Sequence, residues 1–309
     1  MKKLIAFALA SILTLGLTAC GGGASSTGSS AAASNAASSS TGSSAAASTA
    51  ASASTATSAA DSTDASATSG ESATPTLDAI KEKGTFTLMT ATGFPPFEYL
   101  GADGQPAGVD IDVGQLVADE LGVEYEVLDM DFGLLIEALK SGKGDMIGAG
   151  MTVTDERAQQ VDFTVTYATA GQVLLLPADS TITSAEELKS GDCTVTVQAN
   201  TTGDIYVQDT LGISSPLQFK NAVECAAALA AGKADAAVID SVAANTIVKN
   251  YEGELKVLDE MVTEENYALA IAKGQEDLVE FVNQVIEKNI ENGTIDKLLE
   301  EHTALSSEG

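Results

Sequence analysis

Apolar residues recur at three-to-four spacing along DIDVGQLVADELG (110–122), FGLLIEALKSG (132–142) and NAVECAAALAAG (221–232), and each stretch runs into a glycine. The spacing predicts amphipathic helices, and the glycine suits the residue just past a helix end, where the backbone turns left-handed. Between these stretches lie short apolar runs, TFTLM, YEVLDM, DMIGAG, GQVLLLP, CTVTVQ and AAVID, which read as buried strands. Alternation of strand and helix predicts an α/β fold with open parallel sheets.

One unit is repeated. ALKSGKGDMIGAGMT (138–152) and ALAAGKADAAVIDSV (228–242) share the frame Ala-Leu-x-x-Gly-Lys-x-Asp, so the same helix-turn-strand unit occurs in each half. Five residues beyond the shared aspartate stand Gly150 in the first copy and Asp240 in the second, each at the carboxyl end of its strand. Ligands of open α/β sheets bind just beyond those ends. Two such edges facing each other would form a cleft with Gly150, Thr152 and Arg157 on one wall and Asp240 on the other.

The amino-terminal pattern is different. MKKLIAFALASILTLGLTAC has two lysines, an unbroken run of apolar and small residues, and a cysteine. It reads as a secretory signal (1–19), too short to span a bilayer, which takes about 20 apolar residues. The LTAC ending resembles the lipobox of bacterial lipoproteins, in which Cys20 carries lipid, including an acyl chain such as palmitate; ordinary signal cleavage is the alternative. From Gly21 to Ala60 every residue except Asn35 is Gly, Ala, Ser or Thr. Such a tract cannot repay the entropy of ordering, so residues 20–76 read as a solvated tether with an end-to-end distance on the order of 40 Å.

Residues 77–309 exceed what one compact core usually organises and suit two lobes of about 100 residues each. The chain carries 44 acidic against 15 basic residues, a net charge of −29. That argues against nucleic acid and against peripheral binding to anionic lipid. Cys193 and Cys225 both sit in apolar patterns, as two buried thiols or as a disulfide. The one histidine, His302, reads as part of a solvated end, and no Cys/His metal spacing, phosphate loop or G-x-S-x-G is present.

In GAGMTVTDERAQQVDF (148–163), a short helix capped by Thr154 would hold Arg157 in its first turn, where the helix dipole disfavours a cation by about 0.3–1 kcal/mol. The arginine is either paired with Asp155, Glu156 or Asp162 on a solvated face, or reserved for an anion.

Several blocks in order, GFPPFEYL (93–100), AGVDIDVGQLVADELGV (107–123), MDFGLLIEALKSGKGDMIGAGMTVTDERAQQVDFTVTY (130–167), TTGD (201–204) and GKADAAVIDS (232–241), resemble the extracellular solute-binding proteins of amino-acid ABC transporters. The resemblance covers residues 77–302. It implies a two-lobed type II periplasmic-binding-protein fold, each lobe an open, mostly parallel sheet flanked by helices, with the ligand cleft between lobes. Chain crossings are then expected near 167–171 and 264–268, giving lobe one as 77–170 plus 266–309 and lobe two as 171–265.

The same resemblance implies the ligand contacts. Arg157 would grip the carboxylate of a free amino acid, with Thr152 adding a hydroxyl, Gly150 backbone contacts and Thr202 of TTGD a donor from lobe two. Asp240 would receive the α-ammonium, or serve only as a helix N-cap. Phe94 and Phe132 would flank the ligand side chain, while Phe97 and Tyr99 read as structural. The partners implied are a membrane permease and an ATPase, the lipid anchor holding a monomer at the outside of the cell membrane. No metal or cofactor is expected. Related dehydratases on the same fold, or a tethered sensor, are the alternatives to a transport component. At the position where relatives binding cationic or amide side chains often carry an acid, this chain has Ala91. With Gln198 and Asn200 offering neutral surface, the expectation is an uncharged ligand.

Overall fold

A computed structural model describes residues 74–307 of the chain. The signal segment, Cys20 and the tether up to residue 73 lie outside the described residues. The first described helix is Pro75–Lys83.

Two five-stranded sheets organise the fold. The first has the order Glu124–Asp129, Thr85–Thr90, Met146–Ile147, Ala270–Ala272, Val161–Phe163; the second has the order Leu217–Phe219, Val195–Gln198, Ala236–Asp240, Gln172–Pro177, Leu255–Val257. In each, the first three strands are mutually parallel. The fourth, which enters after the chain has passed from the other sheet, runs antiparallel to both its neighbours. Each sheet is therefore mostly parallel, as expected, with one reversed strand where the chain arrives from the opposite sheet. The chain passes between the sheets along Ala168–Ala170 and Glu265–Tyr267, which pair as a two-stranded antiparallel ribbon.

The strands alternate their buried side chains between two helical layers. In the first sheet Phe86 and Leu88 pack with Val113 and Val117 of the helix Val109–Leu121 and with Leu278, Val282 and Ile286 of the helix Glu276–Glu291. Met89 and Ile147 face the other way, onto Leu135 and Leu139. In the second sheet Val173 and Leu175 meet Cys225, Leu229 and Ile247, whereas Leu174 and Leu176 meet Leu188 and Val207. The predicted helices form, and Gly122 takes the left-handed conformation at φ 73°, its N–H closing on Ala118. The cysteines are free thiols on opposite layers: Cys225 is buried, which pushes its pKa up to about 12, and Cys193 is half-buried.

His302 corrects one expectation. It is buried rather than solvated, because the helix Thr294–Leu305 packs back on the first sheet's helices. Its Nε2 lies 2.9 Å from Asp112 Oδ2 and its Nδ1 lies 2.9 Å from the Tyr99 hydroxyl. With the carboxylate accepting from Nε2–H, Nδ1 accepts from Tyr99, so the last helix is tied to the first lobe at two points.

Candidate functional site

The repeated unit delivers the two walls of a cleft as the echo predicts. In the first copy, the strand Met146–Ile147 leads to Gly150 and Thr152, and Thr154 then caps the short helix Asp155–Ala158 by accepting from the Arg157 N–H at 3.2 Å. In the second copy, Asp240 ends the strand Ala236–Asp240 and caps the helix Ser241–Ile247.

Arg157 is the chain's only arginine, and 8% of it is exposed. One terminal nitrogen, Nη1, donates to the Thr152 carbonyl at 2.8 Å and the other, Nη2, to the Asn200 carbonyl at 3.4 Å. The guanidinium carbon lies 5.1 Å from the centre of the Phe132 ring. The partners weighed for a surface arginine are not used: Asp162 pairs with Lys273 instead, at 2.6 Å, and no described carboxylate is within ion-pair distance of Arg157. Burial lowers its pKa, opposed by the negative potential of Glu265. A buried guanidinium without a counter-ion is costly and is normally paired.

On the facing wall, Asp240 Oδ1 accepts from the N–H groups of Val242 and Ala243 at 2.8 and 3.3 Å, and Oδ2 accepts from the Tyr267 hydroxyl. Burial nevertheless pushes its pKa from 3.8 up to about 6, against the lowering effect of those bonds. Thr202 opens the short helix Thr202–Ile205, and its hydroxyl donates to Glu265 Oε2 at 2.9 Å. Thr152 donates to the same oxygen at 2.6 Å. Glu265, buried in the ribbon between the sheets, is a site residue that sequence reasoning missed, since nothing in MVTEENYAL distinguishes it from neighbouring acids.

Gly150 is needed where it stands. Its φ is +50°, and a Cβ there would lie 2.7 Å from the Phe94 ring. Its N–H donates to the buried Asp110 carboxylate at 2.8 Å, which leaves the carbonyl for any ligand.

The Phe94–Pro95–Pro96–Phe97 turn explains a second missed residue. Phe94 and Glu98 form a bridge closed by two backbone hydrogen bonds, of 2.8 and 3.1 Å, so their side chains leave the turn on one face. Both line the cavity. Only 1% of Glu98 is exposed, and its Oε2 has no hydrogen-bond partner. Burial, then the charges of Asp110, Asp129 and Asp240, hold its pKa well above the usual carboxylate range. Phe97, fully buried, and Tyr99 lie outside the lining.

Together these residues line one small, partly enclosed cavity of about 30 Å³, with further space that opens to solvent. All seven residues singled out from the sequence, Phe94, Phe132, Gly150, Thr152, Arg157, Thr202 and Asp240, line it, with Gln172, Gln198 and Tyr267 completing the polar surface. Ala91 does not: it packs with Met89 and Leu135 in the core, so it offers no view of the ligand. Asn200 is likewise absent from the lining, its backbone carbonyl turned to Arg157. One guanidinium thus faces three carboxyl groups, Glu98, Asp240 and Glu265. Among the described residues no group of His, Cys, Asp and Glu is placed to hold a metal ion. The arrangement can bind a small molecule carrying one anionic and more than one cationic or donor group.

Residues 86–304 match the family model described as bacterial extracellular solute-binding proteins, family 3. The chain is 33% identical to the arginine-binding extracellular protein of Bacillus subtilis over 68% of this chain and 82% of that one. Among solved structures, an ancestral amino-acid-binding protein described as a precursor of cyclohexadienyl dehydratase is 36% identical with a TM-score of 0.70, covering 74% of this chain and 99% of that one. An amino-acid ABC transporter substrate-binding protein from Streptococcus pneumoniae, solved with L-arginine, is 31% identical with a TM-score of 0.71 and covers 75% of this chain and 100% of that one.

Proposed function

The chain belongs to the bacterial extracellular solute-binding proteins, family 3, and from that premise we propose that it captures a free amino acid outside the cytoplasmic membrane and delivers it to an ABC permease and its ATPase. The fold is that of type II periplasmic-binding proteins, with α/β lobes around a ligand cleft. The observation that carries the proposal is Arg157: a buried guanidinium without a carboxylate partner, inside a cavity whose opposite wall carries Asp240. The α-carboxylate of an amino acid fits the first and its ammonium the second, and each pair gains strength as the lobes exclude water. Ligand-bound, closed lobes then form the surface that a permease recognises.

The side chain of the ligand is read from the acids of the cavity. The expectation of an uncharged ligand rested on Ala91, which lies in the core, and did not weigh Glu98, a lining residue with one carboxyl oxygen that has no hydrogen-bond partner. A buried carboxyl without a partner favours a cationic group that supplies donors, and Phe94 and Phe132 supply aromatic faces on which a planar cation stacks. The proposed ligand is therefore an amino acid with a cationic side chain, arginine being the one that the Bacillus subtilis relative is named for and that the Streptococcus pneumoniae structure was solved with.

Thermal melting of the full chain against the twenty common amino acids tests this reading. A ligand at 100 times its Kd adds about 2.7 kcal/mol of stability. The expected result is a clear rise with arginine or lysine; no rise with any amino acid would refute the binding role, and a rise only with neutral ones would refute the reading of Glu98. The dehydratase alternative predicts loss of the bound compound and a new product by mass spectrometry, whereas a binding protein returns its ligand unchanged.

A further inference from the structure

The helix Ala222–Ala230, packed on the second sheet, begins against a loop that follows the first sheet's strand Thr85–Thr90. The first N–H groups of a helix have no partner within it. Asn221 takes one of them, its Oδ1 accepting from the Glu224 N–H at 2.9 Å. The Gly93 carbonyl, from the opposite lobe, takes another by accepting from the Val223 N–H at 3.3 Å. The Gly93 loop is braced on its own side: the Gly93 N–H donates to the Glu98 carbonyl at 3.1 Å, and the Thr92 N–H and hydroxyl donate to Asp129 at 2.9 and 2.7 Å.

Residue 93 comes this close only as glycine. A Cβ there would lie 2.7 Å from the Asn221 Cβ, and no side-chain rotation relieves a clash between two atoms fixed to their backbones. A second recess repeats the pattern, since a Cβ at Gly133 would lie 2.6 Å from the Asn200 Nδ2. Lys220, next to Asn221 in the chain, pairs with Asp131, two residues before Gly133, at 3.2 Å. Both partners of that pair are more than half exposed, so it steers the lobes more than it holds them. None of these residues lines the cavity, although their chain neighbours Phe94, Ala222 and Phe132 do.

We propose that Gly93 and Asn221 are positioning residues for closure: the Gly93 carbonyl caps the helix Ala222–Ala230 only when the lobes meet, so the protein is drawn shut by its own contacts and the ligand completes a closure already favoured. When the lobes part, the Val223 N–H passes to water. A ligand that binds only the closed form is weakened by whatever factor lowers the closed fraction. The affinity test of this inference rests on the reading of the cleft as an amino-acid site, and the exchange test does not.

Two measurements on the full chain are made in wild type, Gly93→Ala, Asn221→Gly and the double variant: calorimetric titration with L-arginine, and amide exchange at Val223 in the empty protein, read by NMR. Where the melting screen finds another amino acid, that one replaces arginine. Gly93→Ala is expected to hold the lobes apart, weakening arginine by about tenfold or more and speeding exchange at Val223 by a similar factor. Asn221→Gly removes the obstructing side chain at little cost to the helix cap, and is expected to bind arginine within about threefold of wild type. Combined with Gly93→Ala it is expected to restore both readings to within about threefold of its own. Alanine at 93, where φ is +110°, also strains the backbone, but that strain is indifferent to residue 221. A loss that persists undiminished in the double variant would therefore assign the effect to strain and overturn the inference, as would a Gly93→Ala protein that binds and exchanges like wild type. If Gly93→Ala fails to fold, Gly133→Val, at a residue outside the left-handed region, serves as the wedge and Asn200→Gly as its rescue, with the same outcomes deciding. A wild-type chain that binds no amino acid refutes the functional reading alone; exchange at Val223, faster in the wedge variant and restored by the rescue or unchanged in both, then upholds or overturns the inference.

Discussion

The Arg157 guanidinium lies 5.1 Å from the centre of the Phe132 ring and donates to the carbonyls of Thr152 and Asn200, with no described carboxylate close enough to pair. On the proposed reading, a buried cation in that position gains its counter-ion from the ligand's carboxylate. Arg157→Ala is therefore expected to weaken amino-acid binding by about two to three orders of magnitude, the equivalent of about 3–5 kcal/mol for a carboxylate left unpaired in a closed cleft. The empty variant should melt within a few degrees of wild type, since the lost carbonyl bonds are offset by the relieved desolvation. Calorimetry and thermal melting measure the two effects separately, and binding within threefold of wild type would remove Arg157 from the site.

Glu98 gives a proton-linked prediction. Burial, followed by the charges of Asp110, Asp129 and Asp240, raises its pKa well above the usual range, so ionising it in the empty cleft is unfavourable. A cationic side chain brought against it favours the ionised form, so binding releases a proton and affinity rises with pH. Titrations over a range of pH, each in two buffers of different ionisation enthalpy, should reveal that release, and repeating them in Asp240→Asn separates it from the titration of Asp240. Glu98→Gln is expected to abolish it and to weaken arginine by at least about tenfold, with a smaller effect on glutamine. An unchanged proton count and unchanged arginine affinity would remove Glu98 from ligand recognition.

Asp240 and Asp110 both have pKa values raised from 3.8 to about 6, chiefly by burial. For an acid whose folded pKa lies above its unfolded value, the stabilising contribution is complete below the unfolded pKa and is lost as pH rises through the folded one. The melting temperature of the empty protein is thus expected to fall between about pH 4 and pH 7, less steeply in Asp240→Asn. Saturating amino acid should flatten the wild-type slope, because the ammonium stabilises the ionised aspartate. A slope that is the same in wild type and variant would contradict the role of Asp240 burial.

Cys20 lies outside the described residues, and its lipidation is a proposal from LTAC alone. Cys20→Ala is expected to release a folded, binding-competent protein from the membrane, as the remaining tether has no large apolar side chain of its own to anchor it. Stable attachment takes at least two acyl chains, so partial lipidation should give partial release. Fractionation followed by a binding assay checks both properties; full retention of the variant with the membrane would contradict the anchor.

Several features were legible in the chain because they depend on near neighbours. The three-to-four apolar spacing and terminal glycine of residues 110–122 specify a helix and its end, and Thr154 three residues before Arg157 specifies the cap. The repeated Ala-Leu-x-x-Gly-Lys-x-Asp frame pointed to Gly150 and Asp240, of which Asp240 ends its strand while Gly150 stands three residues past the end of Met146–Ile147. Strand direction was less legible. GQVLLLP reads as a buried strand either way, and only its arrival from the other sheet makes it antiparallel to Ala236–Asp240.

The remaining site residues were decided by tertiary structure, for one reason: burial of a polar group is a property of what packs around it, not of its place in the chain. Glu265 is one acid among several in its segment until Thr152, Thr202, Thr263 and Gln172, up to 113 positions away, converge on it. His302 looked like a solvated end until its helix folded back against Tyr99 and Asp112. Ala91 and Glu98, seven positions apart, exchange the roles their chemistry suggests, the core taking the alanine and the cavity the acid. The sequence by itself determined the helices, the strands, the caps and the arginine; which carboxylates share that arginine's cavity was decided only when the two sheets closed on it.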